Sequence, residues 1–123
     1  MKKLILLFFS ILLTFSISAQ NWGQLGLDID GEAAGNESGY SVSLSSDGSI
    51  VAIGAPKNGG TPSGHVRVYQ RNGTSWVQLG NDIEGEAADD WSGHSVSLSS
   101  DGTIVAIGAT RNDDNGTNSG HVR

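Results

Sequence analysis

An all-β chain built from β-propeller blades is predicted by three features of the sequence. A long block recurs at a fixed spacing, apolar residues inside each copy follow a period of two, and tight Gly-containing turns separate the apolar runs. Trp22 to Ala55 superposes on Trp76 to Ala109 at a constant offset of 54, with 26 of 34 positions identical. After a two-residue insertion the match resumes, Ser63-Gly64-His65-Val66-Arg67 against Ser119-Gly120-His121-Val122-Arg123. A period in this range belongs to propellers, solenoids and arrays, whose units bury their faces only against neighbours.

The first element is read as lying outside the mature chain. Lys2 and Lys3 form a basic start, Leu4 to Phe15 an apolar core, and Ser16 to Ala19 a stretch rich in small residues. This is the pattern of a secretory signal peptide, residues 1–19, cut after Ala19. The apolar run is short for a membrane span, so no membrane segment is expected after cleavage. The product is expected to be secreted or displayed on the cell surface.

Within one copy, Ser41 to Ser45 alternates polar and apolar residues, the signature of a half-buried strand. Asp47-Gly48 then predicts a two-residue type I′ hairpin turn, and Ile50 to Ala55 is a continuous apolar run suited to a strand covered on both faces. His65 to Tyr69 alternates again, Asn72-Gly73 gives a second hairpin signal, and Trp76 to Leu79 supplies a fourth strand. The unit is a four-stranded antiparallel meander with no helical periodicity, which fits a propeller blade better than a solenoid rung or an immunoglobulin-type sandwich. The boundaries expected are an outer strand at 20–30, a first repeat at 31–84, and a second at 85–123 that ends inside its third strand.

Without the leader, 5 basic residues stand against 13 acidic ones, a net charge near −8. Nucleic acid is thereby an unsuitable partner, because it requires a basic footprint. There is no Cys, so packing and hydrogen bonds must hold the fold. With three Trp, two Tyr and no Phe beyond the leader, the core is small, and residues 20–123 alone are not expected to be a stable monomer.

No catalytic constellation stands out. The Asp28/Asp82 and Glu32/Glu86 segments repeat in both copies, as loop structure does, and an EF-hand reading fails because Ala33 stands where Gly is required. His65 and His121 are read as strand histidines. No cofactor and no metal site are expected.

The positions where the copies differ carry more information. Asn36, Glu37 and Tyr40 are replaced by Asp90, Trp91 and His94, with Asp89 next to them. Lys57 and Asn58, at the start of one connection, face Arg111, Asp113 and Asp114 in the other. Alternate connections of a meander share an edge, so both variable connections lie opposite the hairpins. A rigid scaffold presenting variable loops suits a binding surface, and Trp91 would be its aromatic anchor. The expected partner is an extracellular protein or glycan. A non-catalytic spacer in a larger surface protein and part of a propeller-fold carbohydrate-active enzyme are the competing readings.

Ser38-Gly39-Tyr40-Ser41-Val42, Asp47-Gly48, Val51 to Pro56 and Gly64 to Tyr69 together resemble the FG-GAP repeat, which forms the blades of integrin α-subunit propellers and of many bacterial surface proteins. Two departures are visible: Phe-Gly becomes Ser38-Gly39 and Ser92-Gly93, and the second Gly-Ala-Pro becomes Gly108-Ala109-Thr110. Many such blades hold calcium in an Asp-rich loop. Here that loop is Ser46 to Ser49 or Ser100 to Thr103, and one carboxylate falls far short of the six to eight oxygens calcium takes. The resemblance also implies that Trp22 to Ile29 is the outer strand that closes a ring, and that the sequence is the N-terminal piece of a full propeller whose remaining blades lie further along.

Overall fold

The computed structural model describes residues 21–58 and 63–123; the predicted signal peptide and residues 59–62 of the first variable connection lie outside them. The described residues contain strands and turns and no helix. The first sheet has the order β1 (Ser41–Leu44), β2 (Ile50–Ala55), β3 (His65–Asn72) and β4 (Ser75–Gln78), all antiparallel. The fourth strand breaks at Gly80, where φ is 71°, and resumes as β5 (Ile83–Glu84) on the same neighbour, β3. The second sheet repeats the first three strands as β6 (Ser92–Leu98), β7 (Val105–Ala109) and β8 (His121–Val122). These are the meander blades that the alternation predicts.

The hairpin turns differ from the expectation. Gly48 and Gly73 have φ of 68° and 62°, but Asp47 and Asn72 do not share the positive φ that a type I′ turn requires at both central positions. Instead the Gly48 N–H donates to Ser45 O, closing a tight turn with Gly48 alone in the left-handed region. The Asp47 carboxylate ties this turn together: it accepts from the Ser49 N–H and from the Ser45 and Ser49 hydroxyls, an Asx-type turn. Asp101 does the same with Ser99 and Thr103.

Those donors stabilise the charged carboxylate. The Ser49 N–H and the two hydroxyls hold Asp47 at about 2, and the Ser99 hydroxyl with Thr103 holds Asp101 at about 2, against the usual 3.8. A lowered folded-state value means that the stabilisation is present above 3.8 and disappears as pH falls towards 2. Acid titration of unfolding should therefore show a loss in that window. The double variant Asp47→Asn, Asp101→Asn should flatten it; an unchanged acid limb would show that the hairpins do not contribute.

Cross-strand partners share a face, so the register defines the two sides of each blade. In the first blade one side carries Ser41, Ser43, Ala52, Gly54, Val66 and Val68, here called the serine face. The other carries Val42, Leu44, Val51, Ile53, Arg67 and Tyr69, the apolar face. Of the two buried clusters, the one that joins the blades lies between them. Val96, Leu98, Val105 and Ile107, on the apolar face of the second blade, pack against Ala52, Val66 and Val68 on the serine face of the first. Three serines pin this junction. The Ser41 hydroxyl donates to Gly93 O (2.7 Å), the Leu98 N–H donates to the Ser43 hydroxyl (3.0 Å), and the Ser46 N–H and hydroxyl both donate to Ser100 O (2.9 Å).

Among the described residues, 21–30, the expected outer strand, pair with no strand, whereas the counterpart Trp76–Gln78 is paired by β3; the blade that the resemblance expects this segment to complete lies outside the sequence. The segment lies over the apolar face of the first blade instead. Ile29 packs on Val51, Ile53 and Tyr69, the Trp76 indole N–H donates to Leu25 O, and Arg67 Nη2 donates to Asp30 O. Trp22, Leu25 and Leu27 remain largely exposed.

A candidate binding site at the variable loop edge

The two hairpins of the first blade occupy one edge, and the variable connections occupy the other, as the meander requires. There the copies line up position by position. Tyr40 of the first copy meets His94, its equivalent in the second, with the hydroxyl 3.1 Å from Nε2 and the rings 4.9 Å apart. Lys57 and Arg111 are likewise equivalents, and both lie over the ring of Trp91, at 5.6 and 3.7 Å from its centroid. The His94 ring is nearly parallel to that of Trp91, 6.3 Å away. Five of the twelve candidate residues thus form one aromatic and cationic cluster across the blade junction.

Glu37 joins it through a 2.8 Å ion pair with Lys57. Glu37 and Trp91 occupy the same repeat position, so one geometry is filled by an ion pair in the first copy and a cation–π contact in the second. Arg111 makes no salt bridge among the described residues. Trp91 is held at φ 58° and Glu37 at 56°, in the left-handed region that bulky side chains avoid. Backbone held in that state concentrates at functional positions.

Other candidates serve the scaffold. Asn36 and Asp90, again equivalents, are buried and clasp Asn58 and Asn112 of the neighbouring connection; the Asn112 amide donates to Asp90 Oδ2 at 3.1 Å. These side chains anchor the variable loops rather than projecting from them. Asp113 caps the Asn118 N–H, and Asp114 lies beside Asn112, so both shape the second connection. Asp89 is exposed, with φ 65°, where the first copy has Gly35 at 83°. Asn112 is the residue the sequence reading missed, although its match to Asn58 at the constant offset marks it.

A second recurring feature is a charged clamp. Glu32 lies 3.8 Å from Arg67 and 3.9 Å from His65 Nδ1, with Asp82 3.7 Å from the same nitrogen. Glu86 repeats this with Arg123 and His121 at 3.3 and 3.5 Å. Arg67 and Arg123 also donate to the carbonyls of Asp30 and Glu84, tying the segment that precedes each blade to that blade's third strand. His65 is buried, with Asn58 on Nδ1 and no partner on Nε2 among the described residues. The His and acidic atoms are close enough together to surround an ion. The guanidinium beside each Glu already supplies the counter-charge, and a ligating imidazole ordinarily donates its second N–H, for which no described residue offers His65 an acceptor.

No curated protein and no solved structure matches the chain. Residues 84–122 match the family model of the FG-GAP repeat. That stretch runs from the outer strand of the first blade through the inner strands of the second, and the first copy repeats its sequence and strand order. The chain thus carries an FG-GAP repeat at residues 84–122, and its all-β antiparallel meanders fit blades of the propeller type.

Proposed function

We propose that the chain is an exported, surface-displayed binding module that meets an extracellular protein or glycan with the edge centred on Trp91 and Arg111. The observation that carries this reading is the convergence of Tyr40, Lys57, Trp91, His94 and Arg111, positions at which the two copies differ, on one cluster at the blade junction. Aromatic and Arg side chains are the usual anchors of recognition surfaces, and Arg111 keeps its hydrogen-bonding edge for a ligand. The basic and apolar leader supports export.

The test separates binding from folding. The chain, displayed or immobilised, is screened against extracellular proteins and a glycan array, and the ligand retained is titrated against variants. Trp91→Gly removes the ring but relieves the left-handed strain, so stability should change by less than about 1 kcal/mol. Affinity should fall by at least about tenfold, as loss of an anchor does. Arg111→Ala should weaken binding likewise. Full binding by both variants would sink the proposal. A purely structural role is favoured by one observation, the shared clasp of positions 37 and 57 in the first copy and 91 and 111 in the second. That role predicts instability for Trp91→Gly and no ligand loss.

A further inference from the structure

Three Asn-Gly steps lie beyond the leader: Asn58-Gly59, Asn72-Gly73 and Asn115-Gly116. Asparagine is a thermolabile residue, and it is least durable before Gly. With no Cβ beside it, the Gly nitrogen meets little hindrance in approaching the side-chain amide that precedes it, and the backbone turns freely enough to bring the two together. The reaction still requires the Asn side chain to leave its partners and the backbone to leave its hydrogen-bonded geometry, which is a local opening of the fold.

The fold holds the three steps differently. Asn58 is half-buried in the clasp, where its side chain is bonded to Asn36 and His65 and lies 3.4 Å from Glu32 Oε2. Asn72 is exposed, but it ends β3 and is paired across the ladder with Ser75 of β4, so its backbone is held extended. Asn115 has neither restraint. It is exposed in a turn of the second variable connection, and its side chain has no hydrogen-bond partner among the described residues. The Gly116 N–H donates to Asp113 O at 3.0 Å, a single turn bond. A Cβ at Gly73 or at Gly116 would meet nothing within 4 Å, so access is equal at those two steps and restraint is what separates them.

We propose that Asn115-Gly116 is a site of spontaneous backbone modification, and the one of the three that the native fold leaves open to it. The Gly116 nitrogen gives its proton to solvent base and bonds Asn115 Cγ. The Cγ–Nδ2 bond breaks, and the amide nitrogen departs as ammonia. Water then opens the succinimide. Breaking the new Cγ–N bond leaves aspartate at position 115; breaking the bond at the main-chain carbonyl leaves isoaspartate, with the chain running through the side-chain carbon. No oxidant or cofactor enters. Either product places a new carboxylate in the connection that carries Arg111, and isoaspartate also lengthens the backbone inside the turn. The strands are insulated from both, because the Gly120 N–H and the Ser119 hydroxyl donate to Asn112 O and fasten the connection behind the turn.

The test incubates the exported protein for weeks near neutral pH, with and without denaturant, and maps it by peptide mass spectrometry that resolves aspartate from isoaspartate. In the native protein Asn115 should convert at least about tenfold faster than Asn58 or Asn72, because those two react only after an opening that Asn115 does not need. In denaturant the three rates should converge, with Asn115 changed least. The Asn115 rate should also rise with pH, since the deprotonated nitrogen attacks. Asn115→Gln should abolish conversion at this step on the same timescale and leave the circular dichroism unchanged, because the larger ring closes far more slowly. Equal native rates at the three steps, or a native chain in which Asn58 or Asn72 reacts first, would overturn the inference. So would an Asn115 that stays intact in the native chain while the denatured chain reacts at all three steps.

Discussion

Gly54→Ala should cost about 3 kcal/mol or more of unfolding free energy, while the same change at its repeat equivalent, Gly108→Ala, should cost less than about 1. The backbone at both positions is ordinary strand, so neither change meets a left-handed penalty. The difference lies in what faces the new methyl group. At Gly54 it would run into the Gly93 carbonyl, a main-chain atom fixed by the Ser41 hydroxyl and by its own strand. Relief would require the two blades to separate, exposing the Ala52, Val66 and Ile107 core. At Gly108 the obstacle is the Ser95 side chain, which can turn away into solvent. Denaturant unfolding of the two variants side by side gives the comparison. Equal losses would show that the blade junction does not set the stability of the chain.

Ile107→Ala should lower stability by about 3 kcal/mol, within the roughly 2–5 usual for truncating a buried aliphatic side chain. Ile107 is 3% exposed and stands in the centre of the inter-blade cluster, touched from both sheets. Its loss leaves a cavity that neither sheet can close, because both are fixed by the serine hydrogen bonds at the rim. For a chain of this size the thermal midpoint should fall by more than about 10 °C. Ile104→Ala, at a position 68% exposed, should fall within about 0.5 kcal/mol of the unmodified chain. The pair of measurements places the core between the blades. A similar cost for both would place it elsewhere.

The variable edge was legible because the chain carries its own comparison. Where two copies of a blade agree, geometry is held; where they differ, the scaffold tolerates change. Tyr40, Lys57, Trp91, His94 and Arg111 were marked in that way. The structure adds that they meet one another, since equivalent positions of successive blades stack in rows. Asn36, Asn58 and Asp90 were marked by the same logic and are buried. Loop polarity gives no sign of this, because an Asn that clasps another loop reads the same as one in water. The left-handed backbone at Trp91 is similarly silent in the sequence, where Gly or Asn would have announced it.

The sequence by itself determined the blade. Period-two alternation, the Gly turns and the 54-residue offset define four strands, their order, and the edge on which each connection lies, because all of these follow from local geometry. It misjudged the hairpin type, where the Asp47 carboxylate accepts from Ser45 and Ser49, while residues 21–30, which have strand character, find no partner strand among the described residues. Only the tertiary structure decided which faces are covered. Ile50–Ala55 and its repeat equivalents Ile104–Ala109 share one sequence, IVAIGA, yet Ala52 is fully buried while Ala106 is exposed. Burial in a blade is conferred by the blade beside it, and identical residues cannot say whether that neighbour is there.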